Sequence, residues 1–537
     1  MVTKKTYRLV AFMGLIVIAV LSVLPYFAPA NPLVIEDAVG ESTVYIAAER
    51  DWMLFPGQCM QVQWELEGIA GVYVQDLQPE RGTVGVGEQV DCYAPNFSLR
   101  VIFADASTQT YTFDAVRYGY QQIQWQLYYA FLTILGAICA YLAIGARAVT
   151  AIVATIAVTP TMILHVLTPF TGYRYIEITD YVVHVRWAQI ASLQTLGEIP
   201  PHMLFHFAGR ALIELMPALY HVVPIIVLMI ACQTLTAVGL HTLLRLLHPI
   251  EDDAHAWQIA YIALSVMLIF IGPLSMLAGT RLFEPGSALL YPNTYHSPTM
   301  VMMRPLALWL FIALISVPKT DAHIGWLVLR WAWIVLLTIA VTFTKPNYTF
   351  VIMPAYITLL AWQKLLKREV TRNELFTAGV LVLSGSLVLG WQYFTLSAGT
   401  SQVGETSIAL MPFWYFTSRD IAIPMVIWQW MVSLIFPLAV VILFFKQAIK
   451  DEVLTLAWIA IGGAIAITVL FVEFPRNGAG NFLWGTRIAN LILFTTSLGF
   501  LLQRLRESDD KWDIRFMICE ALLLAHFVDY VLVLVAY

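Results

Sequence analysis

The stretch IGWLVLRWAWIVLLTIAVTFTK, residues 324–345, is apolar throughout except for Arg330 and the final Lys345. As a helix it is long enough to cross the roughly 30 Å of hydrocarbon in a bilayer. Of the 537 residues in the chain, 59% are hydrophobic and 12% are charged. That balance is far more apolar than that of a soluble globular domain. The sequence therefore predicts a polytopic α-helical membrane protein.

About thirteen apolar segments of this kind follow one another along the chain, which predicts about 13 transmembrane helices. They lie near residues 9–28, 125–146, 149–170, 215–246, 256–277, 300–317, 324–343, 348–363, 375–395, 422–445, 453–472, 483–502 and 516–536. The first lacks a clean cleavage site, so we interpret residues 1–29 as a retained N-terminal anchor rather than a signal peptide. Residues 124–537 are predicted to form a multi-span helical domain.

The lysines and arginines of the short loops predict the orientation. If every segment crosses, one side collects Lys364, Lys367, Arg368, Arg372, Lys446, Lys450, Arg504, Arg506, Lys511 and Arg515. That side is predicted to be cytoplasmic. The N-terminus is then predicted to lie in the cytoplasm and the C-terminus outside. We therefore expect a multi-pass protein of the plasma membrane. The net charge of −5 is small and includes no long basic block, which argues against a nucleic-acid partner.

Residues 30–123 differ from the rest because short alternating runs such as MQVQWELE and FSLRVIFAD are separated by turns. The pattern predicts a small extracytoplasmic antiparallel β-sandwich. Cys59 and Cys92 lie within it, and a disulfide between them would suit an oxidising compartment; two free thiols are the alternative. The texture of this region resembles the immunoglobulin-like domains of bacterial envelope proteins, which implies binding or spacing and no chemistry.

The loop after the third apolar segment reads ITDYVVHVRWAQ, residues 178–189. As a helix it would place Asp180 and His184 on one face, with Trp187 one turn further along. Aromatic residues nearby predict that this helix lies along the outer membrane interface. A partly desolvated carboxylate there is suited to accept a proton from an attacking hydroxyl. Alternatively, Asp180 pairs with His184 or Arg186.

The longer stretch TDYVVHVRWAQIASLQTLGEIPPHMLFHFAGRAL, residues 179–212, resembles the GT-C superfamily of integral-membrane glycosyltransferases. The shared layout is an acidic residue in an outer loop, an amphipathic helix, and a Pro-His pair before a hydrophobic helix. It implies a GT-C-like core over about residues 149–503 and an inverting sugar transfer from a polyprenyl phosphate-linked donor, with Asp180 as general base. Because Asp180 is preceded by Thr179 rather than a second acid, the expected chemistry uses no metal.

A lipid phosphate leaving group needs cations at the outer membrane face, where negative charge develops. The predicted topology places Arg304, Lys345 and Arg487 on that side. We interpret them as donor phosphate ligands; otherwise Arg304 and Lys345 extend to lipid headgroups, and Arg487 pairs with Glu473.

Four histidines and one further arginine are predicted to shape the sugar or acceptor site. They are His184, His202, His206, His296 and Arg210. His202 and His206 also have the spacing of metal ligands, but no third ligand is evident in the sequence, so hydrogen bonding is favoured over a metal.

The sequence thus predicts a membrane glycosyltransferase without cofactor or metal. Its partners would be membrane lipid, a polyprenyl phosphate-linked sugar donor, and a polysaccharide or surface-protein acceptor. The alternative is a non-catalytic membrane anchor or scaffold subunit that docks a partner through the β-sandwich. A lipid or solute transporter ranks third because most ionisable groups lie at the segment ends rather than at mid-membrane. No nucleotide-binding or zinc-protease motif occurs.

Overall fold

The computed structural model describes sixteen stretches of the chain, and several predicted features lie outside them. The described residues are 33–50, 60–74, 86–91, 96–114, 181–192, 203–216, 222–249, 255–269, 271–274, 277–278, 288–290, 297–319, 323–397, 407–474, 481–508 and 512–536. The predicted anchor over residues 1–29 and the predicted segments near 125–146 and 149–170 therefore lie outside the described residues. So do Cys59 and Cys92, the predicted disulfide pair.

The chain divides into two compact units, and the first contains two small antiparallel sheets. A four-stranded sheet has the order β1-β2-β3-β5, and a three-stranded sheet has the order β4-β6-β7. The strands are β1 (Leu33–Val39), β2 (Ser42–Arg50), β3 (Met60–Glu67), β4 (Ile69–Val74), β5 (Val86–Asp91), β6 (Asn96–Phe103) and β7 (Thr108–Asp114). The sequence runs MQVQWELE and FSLRVIFAD coincide with β3 and β6.

One cluster of buried side chains contains residues from both sheets, because alternate residues of each strand point inward. Its members are Val44, Ile46, Trp64, Leu66, Ile69, Leu99, Val101, Phe103 and Tyr111. The chain passes from one sheet to the other at Gly68, whose φ of 68° favours glycine. The Ser42 hydroxyl donates to the Gly68 carbonyl at 2.6 Å, and the Tyr111 hydroxyl donates to Asp37 at 2.9 Å. The Tyr111–Asp37 bond joins a strand of each sheet, and the Ser42–Gly68 bond joins β2 to the turn between the sheets.

The remaining described residues are mostly helical. The helices are α1 (Tyr181–Ile190), α2 (Leu204–Leu215), α3 (Val222–Leu247), α4 (His255–Ile269), α5 (Pro298–Ile315), α6 (Ile324–Thr344), α7 (Asn347–Leu365), α8 (Arg372–Ser397), α9 (Trp414–Thr417), α10 (Ile423–Ser433), α11 (Ile435–Leu443), α12 (Phe445–Ala448), α13 (Glu452–Leu470), α14 (Asn481–Glu507) and α15 (Ile514–Ala536). Two short strands, β8 (Ser407–Leu410) and β9 (Phe471–Phe474), pair antiparallel.

Several of these helices are long and apolar enough to cross a membrane, as the composition predicts. Within the described stretches six qualify, or seven if one bent pair counts as a single span. They are Val227–Leu247, Pro298–Ile315, Ile324–Thr344, Arg372–Phe394, Glu452–Leu470 and Phe482–Glu507, with Ile423–Ser433 and Ile435–Leu443 as the bent pair. The chain is thus consistent with a polytopic membrane protein. The count of about thirteen spans stays a prediction.

The segment predicted over residues 422–445 is not one straight helix. It breaks between α10 and α11 with a bend of 66°. Pro437 lies in the first turn of α11 and lacks the N–H that would bond to the carbonyl of Ser433 four residues earlier. The break at Leu434 follows from that missing bond and from the clash of the proline ring with the preceding turn.

The bent pair holds a short non-helical segment, residues 288–290, which is fully buried. The Gln429 side chain accepts from the Ala288 N–H at 2.7 Å, and the Trp430 indole donates to the Ala288 carbonyl at 2.9 Å. The Ser433 hydroxyl accepts from the Leu290 N–H at 3.1 Å, and the Asn490 side chain donates to the Leu290 carbonyl. Irregular backbone among apolar helices is stable only when its polar groups are bonded in this way. Residues 288–290 therefore lie inside the protein rather than on its surface.

Candidate functional site

Two of the predicted histidines form a direct pair between α1 and α2. His184 Nδ1 and His206 Nε2 lie 2.8 Å apart, and the two rings are stacked with an interplanar angle of 11°. His184 is 3% exposed and His206 is fully buried. One ring must donate an N–H while the facing nitrogen accepts, so at least one of the two is neutral at the shared bond. Burial lowers the pKa of His206 to about 3, which assigns it the neutral form at physiological pH.

Aromatic rings enclose this histidine pair. Trp187 meets both histidine rings edge-on, with centroid distances of 5.1 Å and 5.5 Å, and Phe205 packs edge-on from the other helix. The face that the sequence predicted on α1, with His184 and Trp187 one turn apart, is present. The predicted general base Asp180 directly precedes α1 in the sequence and lies outside the described residues. His202 and His296 also lie outside the described residues.

Arg210 connects α2 to the end of α1. Its guanidinium bonds to Glu214 at 2.7 Å, one turn along the same helix, and donates to the carbonyl of Gln189. The Arg210 side chain is 39% exposed. Its described contacts thus brace the α1–α2 hairpin, and the sugar-binding role predicted from the sequence stays a prediction.

Two of the three predicted phosphate ligands meet on one aromatic ring. Lys345 is the C-cap residue of α6, and Arg487 lies in the second turn of α14. The Lys345 ammonium nitrogen and the Arg487 guanidinium carbon each lie 4.6 Å from the centroid of the Trp484 ring. The two charges are therefore no more than twice that distance apart. The ring face attracts cations, and this attraction is strongest away from water; Lys345 is 4% and Arg487 8% exposed.

The third predicted cation lies on the helix that Lys345 contacts. The Lys345 ammonium donates to the Thr299 hydroxyl at 3.5 Å, and Thr299 bonds in turn to the Ser297 hydroxyl at 2.8 Å. Thr299 is in the first turn of α5, and Arg304 follows on the same helix with 1% exposure. We call Lys345, Arg487 and Trp484 the cation cluster.

Close backbone packing brings α7 and α14 together beside the cation cluster. A Cβ added at Gly485 would lie 2.9 Å from the carbonyl oxygen of Asn347, at the start of α7. Any residue larger than glycine would therefore push the two helices apart. A buried hydrogen bond also joins α6 to α7, because the hydroxyls of Thr342 and Thr349 lie 2.8 Å apart. Glycine thus keeps Trp484 next to the α6–α7 turn that carries Lys345.

The histidine pair lies at the same end of α6 as Lys345. Phe343, two residues before Lys345, packs against the small apolar cluster of Ala191 and Met203, together with Trp187. Trp187 in turn touches both histidine rings. A continuous set of contacts therefore joins the α1–α2 hairpin to the end of α6. The structure brings together predicted substrate and phosphate residues that are far apart in the sequence.

Sequence reasoning missed Trp484 and the threonines around the cation cluster. The string FLWGTRIAN places an aromatic residue three positions before Arg487, one helical turn away. That spacing was a usable signal for a ring stacked with an arginine. The contact of Lys345 with Thr299 had no comparable signal, because it joins residues of separate helices.

The opposite ends of α6, α7 and α13 carry ion pairs. Lys319, just before α6, bonds to Glu452 and lies 3.9 Å from Glu374. Arg368, just after α7, lies 3.4 Å from Glu452. Lys319 is 50% exposed and Arg368 32% exposed. This region includes cations of the side that the sequence predicts to be cytoplasmic.

No family model, curated protein or solved structure matches the chain. Within the described stretches, no group of three or more histidine, cysteine or acidic side chains is arranged to hold a metal ion.

Proposed function

We propose that the chain is an integral-membrane glycosyltransferase of GT-C type that uses a polyprenyl phosphate-linked sugar donor. One observation carries the proposal: buried cations gather on one aromatic ring at the same end of the apolar helices as the histidine hairpin. Lys345 and Arg487 are both positively charged and both lie 4.6 Å from the Trp484 ring centroid, and two cations near one point are suited to bind a phosphate or diphosphate. Buried charges among membrane helices are expensive and are usually retained for function.

In the proposed reaction an acceptor hydroxyl attacks the anomeric carbon of the sugar, and the bond from that carbon to the phosphate oxygen breaks. Asp180 takes the proton of the hydroxyl, so the sugar is transferred with inversion and polyprenyl phosphate leaves. The cation cluster stabilises the charge that develops on the phosphate. The pair of His184 and His206 follows Asp180 along the chain and would form hydrogen bonds to sugar hydroxyls.

The topology that suits this reaction is about thirteen spans with the N-terminus in the cytoplasm and the cation cluster facing outward at the plasma membrane. The first unit would then be an extracytoplasmic β-sandwich that positions a polysaccharide or surface-protein acceptor. Its strand order departs from the constant immunoglobulin arrangement, in which the third strand joins the sheet of the sixth and seventh. Here β3 pairs with β2, and β4 pairs with β6. The resemblance is thus one of texture rather than of strand order.

Release of labelled polyprenyl phosphate by detergent-purified protein tests the proposal. A panel of polyprenyl phosphate sugars is offered to the wild type and to Asp180→Asn, with donor binding measured in parallel. We expect turnover in the wild type and its loss in the variant with donor binding preserved, because the substitution removes the proton acceptor and leaves the cations in place. Undiminished turnover in Asp180→Asn would overturn the assignment of the base.

The second candidate is a scaffold subunit that docks a partner through its sheets. The separate packed core shared by the two sheets favours it, since such a unit can bind a partner without chemistry in the helices. It predicts that the wild type neither binds nor turns over any donor of the panel.

A further inference from the structure

An apolar groove lies between α7, α12 and α13, near the helix ends that carry the ion pairs. It encloses about 380 Å³, within the range of roughly 300 to 1,000 Å³ that is common for ligand sites. Its lining is almost entirely apolar and comprises Thr358, Trp362, Val441, Ala448, Ile449, Thr455, Trp458 and Ile459. A groove of this composition on helices among lipid suits a hydrocarbon chain.

Basic side chains lie beside the groove along α12 and the turn that follows it. Lys446 is three residues before the lining residue Ile449, which puts both on one side of the helical turn. Lys450 directly follows Ile449, and both lysines are exposed. The Arg368 guanidinium donates to the Lys450 carbonyl at 3.2 Å, but it also pairs with Glu452 at 3.4 Å, so the two lysines carry the positive charge beside the groove. An anionic headgroup would meet these charges while its chain occupied the groove.

We propose that this groove binds an anionic phospholipid, with an acyl chain between Thr358 and Trp458 and the phosphate at Lys446 and Lys450. The site is at the ion-paired ends of the helices, away from the cation cluster, and does not depend on the proposed glycosyltransferase activity. Neutral phospholipids would fill the groove but gain less from the lysines. The selectivity for anionic lipid therefore comes from charge, and the binding itself from the groove.

Native mass spectrometry of the detergent-solubilised full chain tests this site with two probes, phosphatidylglycerol and phosphatidylcholine. We expect one tightly retained phosphatidylglycerol on the wild type. Lys446→Gln and Lys450→Gln should each weaken it about fivefold. Lys364→Gln is the matched control, because Lys364 is exposed on α7 but lies two residues from Trp362 and so points away from the groove. Thr358→Trp, which fills the groove from an exposed position, should remove the adduct.

Any of four results would overturn the proposal. Equal retention of both lipids by the wild type would refute the charge selection, and equal weakening by Lys364→Gln would show nonspecific surface attraction. Retention unchanged in Thr358→Trp, or a bound polypeptide in place of lipid, would refute the groove as a lipid site.

Discussion

The two ends of α6 and α7 differ in how their charged side chains are arranged. At one end Lys319 and Arg368 bond to Glu452, and the side chains are a third to a half exposed. At the other end Lys345 and Arg487 are buried and share the ring of Trp484. Pairs of opposite charge on the surface need no explanation beyond solvation and weak attraction. Two positive charges close to one buried ring are suited to bind an anion such as a phosphate.

Two glycines, in α13 and α14, differ in how closely other atoms pack against them. Gly485 lies against the Asn347 backbone beside the cation cluster, whereas a Cβ at Gly462 of α13 would meet nothing within 4 Å. We expect Gly485→Ala to lower the free energy of unfolding by about 2 kcal/mol, because backbone cannot yield as a side chain can. Gly462→Ala should raise it by about 0.5 to 1 kcal/mol through helix propensity.

Thermal unfolding in detergent measures both glycine variants under the same conditions. Donor binding should fall with Gly485→Ala and stay unchanged with Gly462→Ala. Equal effects of the two substitutions would mean that the close contact of α7 with α14 does not hold the cation cluster together.

A fall in pH should lower the free energy of unfolding through the histidine pair. The pKa of His206 is lowered to about 3 by burial, while an exposed histidine titrates near 6.5. The unfolded chain therefore binds this proton between pH 6.5 and 3 and the folded chain does not. Stability is full above pH 6.5 and declines as the pH falls, by up to about 1.4 kcal/mol per pH unit.

Unfolding midpoints measured from pH 7 to pH 4 test the histidine prediction. The variant His206→Phe keeps a ring in the buried site and removes the titrating group, so its midpoint should depend less on pH than that of the wild type. Identical pH slopes for the two proteins would contradict the assignment.

A substitution at the ion-paired end should change the free energy of unfolding least. Lys319→Gln removes a half-exposed partner of Glu452, and we expect a loss below about 1 kcal/mol that shrinks further in high salt. Unfolding at low and high ionic strength provides the measurement. A loss of several kcal/mol would show that this network is structural and would weaken the contrast between the two ends.

The apolar periodicity of the sequence predicted the coarse fold well. Segments such as residues 324–343 and 453–472 coincide with α6 and α13 because length and hydrophobicity alone select a membrane helix. The break at Leu434 had a local cause in Pro437, which sequence reasoning overlooked. The buried path of residues 288–290 had no such cause, because its hydrogen bonds come from Gln429, Ser433 and Asn490 far along the chain.

The candidate site was predictable in its charges but not in its contacts. Lys345 and Arg487 stand out because a cation at the end of an apolar segment is conspicuous. Their meeting on Trp484 depends on the α7–α14 approach at Gly485, and the pattern of apolar segments does not reveal which helices are neighbours. The bond between His184 and His206 likewise joins two helices whose relative position is decided by packing.

Equilibrium binding of polyprenyl phosphate tests the cation cluster most directly. The wild type, Arg487→Gln and Lys319→Gln are compared in the same detergent, so that each end of the helices loses one positive charge. We predict that Arg487→Gln weakens binding about tenfold or more, since a bond to a charged group contributes about 1.5 to 3 kcal/mol, while Lys319→Gln leaves it unchanged. Equal binding by all three proteins would contradict the assignment of the cation cluster as the phosphate site.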